Sequence, residues 1–215
     1  MKTEAAVLYE MGRPAPYATS RPLVVQEVEL EGPGPGEVLV EVRGAGLCHS
    51  DLSVVDGSRP RPMPMILGHE AAGIVREVGP GVPDFRPDDH VVFSWMPACG
   101  RCLFCATGRP ALCENGIRAN LAGSLLNGNR RFRDGQGRVL NHHLGVSGFS
   151  HYTVAVQESL IKIPQDVPLA TASLLGCAVL TGVGAVVNTA RVEAGMAVAI
   201  WGLGGVGLSA VMGAR

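Results

Sequence analysis

The chain has 215 residues, a formal net charge of −1, 47% hydrophobic residues and only 17% charged ones. That balance excludes the basic footprint of a nucleic-acid binder and the charge-rich, core-poor composition of a disordered tail. It leaves one to two globular domains, and the 29 glycines and 15 prolines point to many tight turns.

In chain order, MKTEAAVLYE at the amino terminus mixes charges with short apolar steps and lacks the apolar centre of a secretion signal. No uninterrupted apolar run reads as long enough to span a membrane. The expected setting is therefore the reducing cytoplasm. LVVQEVEL (23–30) alternates as a strand, GPGPGE (32–37) is a turn cluster, and VLVEVRGAG (38–46) alternates again. GIVREVGPGV (73–82) and DHVVFSW (89–95) continue the pattern, which predicts an antiparallel, barrel-like domain. Residues 118–148, rich in Gly, Asn and Arg, read as a long exposed loop. SHYTVAVQ (150–157) and LIKIP (160–164) return to strand character. After Pro164 the alternation stops, and residues 166–192 read as helical with Asp166 as the start signal. MAVAIWGLGGVGLSAVMGAR (196–215) then runs from an apolar strand, AVAIW, through a glycine-rich turn into a helix.

CGRCLFCATGRPALC (99–113) holds four of the six cysteines. Disulfide frameworks belong to small secreted chains, whereas clustered thiols in a reducing compartment more often hold metal. Two interlaced Cys-x-x-Cys steps plus a fourth cysteine match tetrahedral thiolate zinc through Cys99, Cys102, Cys105 and Cys113, with disulfide or redox chemistry as the alternative. Four sulfur ligands would close the shell and make that metal structural. Cys48 in GLCHSD and Cys177 in LLGCAVLTG stand far apart, with His69 of ILGHEAAG between them. Two thiolates and an imidazole suit an open, catalytic zinc site, but spacing leaves their convergence undecided; a lone cysteine is usually a small buried hydrophobe. GLGGVG fits the dinucleotide pattern through Gly202, Gly204 and Gly207, with Gly205 and Val206 between. An ordinary strand-to-helix turn remains the other reading.

Taken together, GLCHSD, ILGHEAAGIV, the four-cysteine loop, LLGCAVLTG and GLGGVGLS resemble, in order and nearly in distance, the zinc-dependent medium-chain alcohol dehydrogenases. The resemblance covers essentially the whole chain. It implies an α/β protein: a strand-rich GroES-like barrel domain over residues 1–178, then the first strand and helix start of a truncated Rossmann domain over 179–215. It further implies two Zn²⁺ per chain, one on Cys48, His69 and Cys177 and one on the four-cysteine loop, with NAD or NADP as cofactor. By the same likeness Ser50 takes the substrate's proton, and Asp51 and Glu70 stand behind the metal ligands. Thr181 and Gly202–Gly207 face the cofactor, and Trp95 and Arg59 border the substrate pocket.

The implied reaction is hydride transfer between a primary or aromatic alcohol/aldehyde pair and NAD(P). The implied partners are a small alcohol or aldehyde and, in the complete protein, a second copy of the chain, with no nucleic acid and no membrane. Three departures matter. Ser53 stands where many relatives carry a histidine. Arg59 stands at a position apolar or acidic in well-known relatives, which weakens assignment to a glutathione-dependent formaldehyde dehydrogenase, kept as an alternative given the similar NHHLGVSGFSHYTV (141–154). A single strand and turn do not make a cofactor sheet, so the chain reads as an N-terminal part that is not expected to transfer hydride by itself. Cys177 argues against a polyol dehydrogenase, and a zinc-stabilised binding module without catalysis is the reading from another class. Tyr17, Trp201, His90, His142, His143 and His151 read as turn or loop residues without a role.

Overall fold

In the computed structural model, which describes residues 1–215, the first apolar steps pair at once. β1 (Lys2–Leu8), which the sequence reading passed over, runs antiparallel to β2 (Leu23–Leu30), with Leu8 opposite Leu23 and Lys2 opposite Glu29. A short helix, α1 (Tyr17–Ser20), fills the connection. β3 (Glu37–Gly46) leads into α2 (His49–Val55), and β4 (Met65–Ile66) and β5 (Glu70–Val78) follow. β6 (His90–Phe93), α3 (Leu103–Ala106) and α4 (Glu114–Ala122) precede four further strands: β7 (Phe132–Arg133), β8 (Val139–His142), β9 (Tyr152–Val156) and β10 (Leu160–Ile163).

Strands β1, β2, β7, β8 and β4 close a barrel, and β10, β6, β5, β3 and β9 form a second sheet. The pairings are antiparallel as expected, except that β4 lies parallel to β8. The barrel encloses Val7, Val28, Leu30, Ile66, Leu125, Phe132 and Leu140, and the second sheet buries Val38, Val40, Val75, Val91 and Phe93. Each such side chain contributes about 1.5–3 kcal/mol by leaving water, which offsets the cost of ordering these short strands.

Residues 118–148 are not the exposed loop that composition suggested. They contain most of α4 together with β7 and β8, and Leu125, Phe132 and Leu140 are buried in the barrel. A buried carboxylate organises the turn between them. Glu37 accepts hydrogen bonds from the Asn127 and Asn129 side-chain amides, each at 2.8 Å, and pairs with Arg131 at 2.8 Å. Burial opposes its ionisation, but Arg131 and the two amides outweigh that and hold its pKa below the usual carboxylate value.

The helical stretch also differs from expectation. It starts at Leu169 after Pro168 rather than at Asp166 and runs unbroken to Ala190. Its 22 residues are, by length and composition, long and apolar enough to cross a membrane, although Thr171, Ser173, Thr181, Asn188 and Thr189 interrupt the apolar run. Within it, α5 (Leu169–Ala172) and α6 (Leu180–Gly184) alternate with wider π-helical turns at Leu175–Val179 and Ala185–Ala190. Residue 178, the expected domain boundary, lies inside this helix. The last element, α7 (Gly205–Ala214), packs on α6, where a Cβ on Gly182 would stand 2.3 Å from the Val206 carbonyl oxygen. AVAIW (197–201) is not assigned as a strand, and Trp201 is 89% exposed.

Candidate metal centres

The four-cysteine loop folds around its own sulfurs. Cys99, Cys102, Cys105 and Cys113 bring their Sγ atoms within 4.8 Å of one another, and none is in a disulfide. Cys113 is buried and caps α4, its Sγ accepting the Gly116 N–H at 3.3 Å and the Cys99 N–H at 3.3 Å. The Asn115 side-chain amide donates to Cys99 Sγ at 3.2 Å. The Arg101 backbone N–H first, then Asn115, lower the Cys99 thiol to about 6. Burial first, then Cys102, push Cys105 up to about 12. Four sulfurs around one Zn²⁺ would stand roughly 3.8 Å apart for Zn–S bonds of about 2.3 Å; Cys102 and Cys113 are 4.0 Å apart. The donor set and its N–H partners therefore fit a closed thiolate metal centre.

The second cluster gathers residues the sequence holds far apart. Cys48 caps the start of α2, His69 immediately precedes β5, Glu70 is its first residue, and Cys177 sits in the first π-helical turn. Their ligand atoms also lie within 4.8 Å of one another. Two glycines make the approach possible. Gly68 takes φ +89 just before His69, a conformation costly for other residues, and a Cβ there would strike Phe149 at 2.6 Å. At Gly176 a Cβ would stand 2.1 Å from the Phe93 carbonyl oxygen, so only hydrogen lets the helix rest on the end of β6. The wider π turn adds a residue to the turn that carries Cys177. Burial first, then Cys48 and Glu70, push the Cys177 thiol up to about 12. Two thiols, an imidazole and a carboxylate packed so closely favour a cation among them, and the set fits Zn²⁺.

Behind His69 stands a residue the sequence reading dismissed. Asp51 Oδ2 lies 3.0 Å from His69 Nδ1, and Asp51 Oδ1 lies 3.0 Å from His143 Nδ1, though both ring contacts are poorly aligned. Asp51 Oδ1 also accepts the Gly68 N–H at 3.0 Å. His143 is therefore a buried partner of the carboxylate that orients His69, its ring edge-on to the His69 ring with centroids 5.5 Å apart. Burial opposes ionisation of Asp51, but His143 and then His69 outweigh it and hold the carboxyl well below its usual range. His142 is likewise no loop residue. It ends β8, its ring tilted against Phe132, and its Nε2 accepts the Arg131 N–H at 3.2 Å. The signal that could have exposed His142 was its alternation with Leu140 and Leu144 in VLNHHLGV (139–146); His143 falls on the other face of that pattern. His90 lies in β6, and His151 is exposed.

The remaining candidates are dispersed. Ser50 is half-buried in the first turn of α2, two residues from Cys48. Trp95 is half-buried against the second core cluster, two residues beyond the Phe93 carbonyl on which Gly176 rests. Arg59 is exposed, its N–H donating to the Ser53 carbonyl at 2.8 Å. Thr181 is exposed one turn after Cys177. Gly204 caps α7, Gly205 and Val206 open it, and a Cβ on Gly207 would stand 1.8 Å from the Gly202 carbonyl oxygen. A cavity of about 490 Å³ lies beside the four-cysteine loop, lined in part by Cys99, Arg101, Asn115 and Arg118, and away from the Cys48–His69–Cys177 cluster.

Residues 34–165 match the family described as the alcohol dehydrogenase GroES-like domain. Over 217 residues the chain is 43% identical to an S-(hydroxymethyl)glutathione dehydrogenase of Paracoccus denitrificans, a match covering 100% of this chain and 56% of that protein. Among solved structures it resembles an alcohol dehydrogenase zinc-binding domain protein of Burkholderia ambifaria, with TM-score 0.90, 39% identity, and 100% and 56% of the two chains covered. It also resembles benzyl alcohol dehydrogenase of Acinetobacter calcoaceticus, with TM-score 0.87, 34% identity, and coverage of 100% and 55%. The chain spans about half the length of the curated relatives it matches.

Proposed function

Because the chain belongs to the alcohol dehydrogenase GroES-like family, as a zinc-type medium-chain member, we propose that it carries the catalytic zinc site of an alcohol dehydrogenase that exchanges hydride between a primary or aromatic alcohol/aldehyde pair and NAD(P). The observation that carries this reading is the convergence of Cys48, His69 and Cys177, with Glu70 beside them, on one point. Two separate donor sets support a reading of two zinc ions per chain. Cys48, His69 and Cys177 would hold the catalytic ion and leave a coordination position for substrate; the four-cysteine loop would hold the other and leave none.

When bound, the catalytic metal supplies Lewis acidity that makes an alcohol's hydroxyl proton easier to lose. The chain's own residues do the rest. Ser50, in the same helical turn as Cys48, offers a hydroxyl to receive that proton and pass it outward; Ser53 cannot continue the route as a histidine would. Asp51 Oδ2, 3.0 Å from His69 Nδ1, would orient the ring and leave Nε2 to the metal. Thr181 and the turn Gly202–Gly207 would border the nicotinamide and the pyrophosphate, the latter at the α7 N-terminus.

The relay is tested by Ser50→Ala in the zinc-loaded full-length enzyme. Turnover of alcohol should fall by about 10²- to 10⁴-fold with the zinc content unchanged, and Ser50→Thr should keep much of the rate. An alanine variant as fast as wild type at neutral pH would remove Ser50 from the mechanism.

A further inference from the structure

A short run of chain joins the two metal clusters. β6 ends at Phe93, whose carbonyl oxygen seats Gly176 beside Cys177, and the chain then passes through Trp95 to supply Cys99 to the four-cysteine loop. Two residues of chain span at most about 7 Å, so Trp95 lies close to the Gly176 seat. Ser94 fixes the start of the run, its N–H donating to the Ser159 carbonyl at 2.8 Å, and the Trp95 side chain packs against the second core cluster.

α4 closes over the same run. Its buried residues, Gly116, Ala119 and Asn120, recur at the spacing of one helix face. That face rests on residues 95–97. A Cβ on Gly116 would stand 2.5 Å from the Pro97 carbonyl oxygen and 3.2 Å from Met96 Sδ, and the Asn120 side-chain amide donates to the Trp95 carbonyl at 2.9 Å. Asn120 is 4% exposed and sits in the last turn of the helix whose first turn Cys113 caps. A hydrogen-bonded helix moves as one piece, so a displacement at the Cys113 sulfur reaches the Trp95 backbone through Asn120. We infer that Asn120 is a positioning residue for Trp95, and that through α4 the four-cysteine centre sets the Trp95 wall of the substrate site. This rests on the dehydrogenase reading above, in which Trp95 borders the substrate pocket, and it gives the loop centre a part in substrate recognition.

The test uses the zinc-loaded full-length enzyme labelled with fluorotryptophan, the Trp95 fluorine resonance being identified by its loss in Trp95→Phe. Asn120→Asp and Asn120→Leu keep the size of the side chain and remove the amide donor. Each should move the Trp95 resonance with the zinc content unchanged. Cys99→Ser loosens the loop centre and spares the sulfur that caps α4. It should move the resonance when Asn120 is present and much less in Asn120→Leu. A resonance that ignores both Asn120 variants, or that answers Cys99→Ser equally with and without Asn120, overturns the inference; where Cys99→Ser does not fold, the Asn120 variants decide. In steady-state kinetics, Asn120→Leu should raise KM for benzyl alcohol relative to ethanol by about two- to tenfold, with kcat nearly kept. A moved resonance with an unchanged KM ratio overturns the part in recognition. If neither alcohol is turned over, the dehydrogenase reading fails separately, and the resonances alone decide the coupling of Trp95 to the loop centre.

Discussion

Cys99, Cys102, Cys105 and Cys113 come from one loop, and the N–H groups that face their sulfurs come from the same loop and the helix it caps. Cys48, His69, Glu70 and Cys177 come instead from the start of α2, the start of β5 and a π-helical turn, and they meet only because two sheets and a long helix are packed. The first cluster is a local property of the chain, and its ligand geometry is part of its own folding. The second depends on the scaffold, through contacts such as Gly176 on Phe93 and Asp51 between two buried histidines. A structural centre tolerates self-sufficiency, whereas a reactive one gains from rigid elements that hold its ligands apart from solvent and from one another.

The largest test of this contrast is a ligand swap in each cluster. Cys113→Ser should remove one zinc and sharply reduce the folded yield, because the metal's binding energy there is folding energy and the same sulfur caps α4. Cys48→Ser should leave a folded protein with one zinc fewer and, in the full-length enzyme, little activity. Metal analysis with circular dichroism decides it; equal misfolding of both variants would break the distinction between local and scaffolded centres.

Acid probes the scaffold itself. Burial holds His142 neutral by lowering its pKa from near 6.5 to about 3. Between those values the unfolded chain takes a proton that the folded barrel refuses, so this contribution to stability is complete above pH 6.5 and declines as pH falls toward 3. Metal-free protein should lose on the order of 2 kcal/mol from this group between pH 7 and pH 5. Denaturant unfolding at the two values, repeated on His142→Gln, should show a shallower pH dependence in the variant. An unchanged slope would mean that other groups set the acid limit of the barrel.

The smallest expected effect sharpens the role of the residues behind His69. Asp51→Asn should weaken zinc at the scaffolded cluster by about 10- to 100-fold and leave the loop centre alone. His143→Phe should weaken it less, roughly a few-fold, since Asp51 keeps its contacts with His69 and the Gly68 N–H. Competition with a chromogenic chelator separates the two affinities. A His143 variant that weakened the four-cysteine centre equally would mean a general loss of structure instead.

What the sequence alone determined is local or periodic. The four-cysteine loop was legible because all its ligands lie between residues 99 and 113, and β2, β3, β6, β9 and β10 were legible because alternation is a short-range pattern. The Cys48, His69 and Cys177 set was reachable only by resemblance, since nothing in their spacing says that β5 and the helix would meet α2. Tertiary structure alone decided the rest. Residues 118–148 look polar, yet Glu37 gathers their amides and arginine across the chain, and Leu125, Phe132 and Leu140 follow into the barrel. His143 looked idle until the fold set it against Asp51. Burial and a partner give a histidine its role, and both are long-range facts.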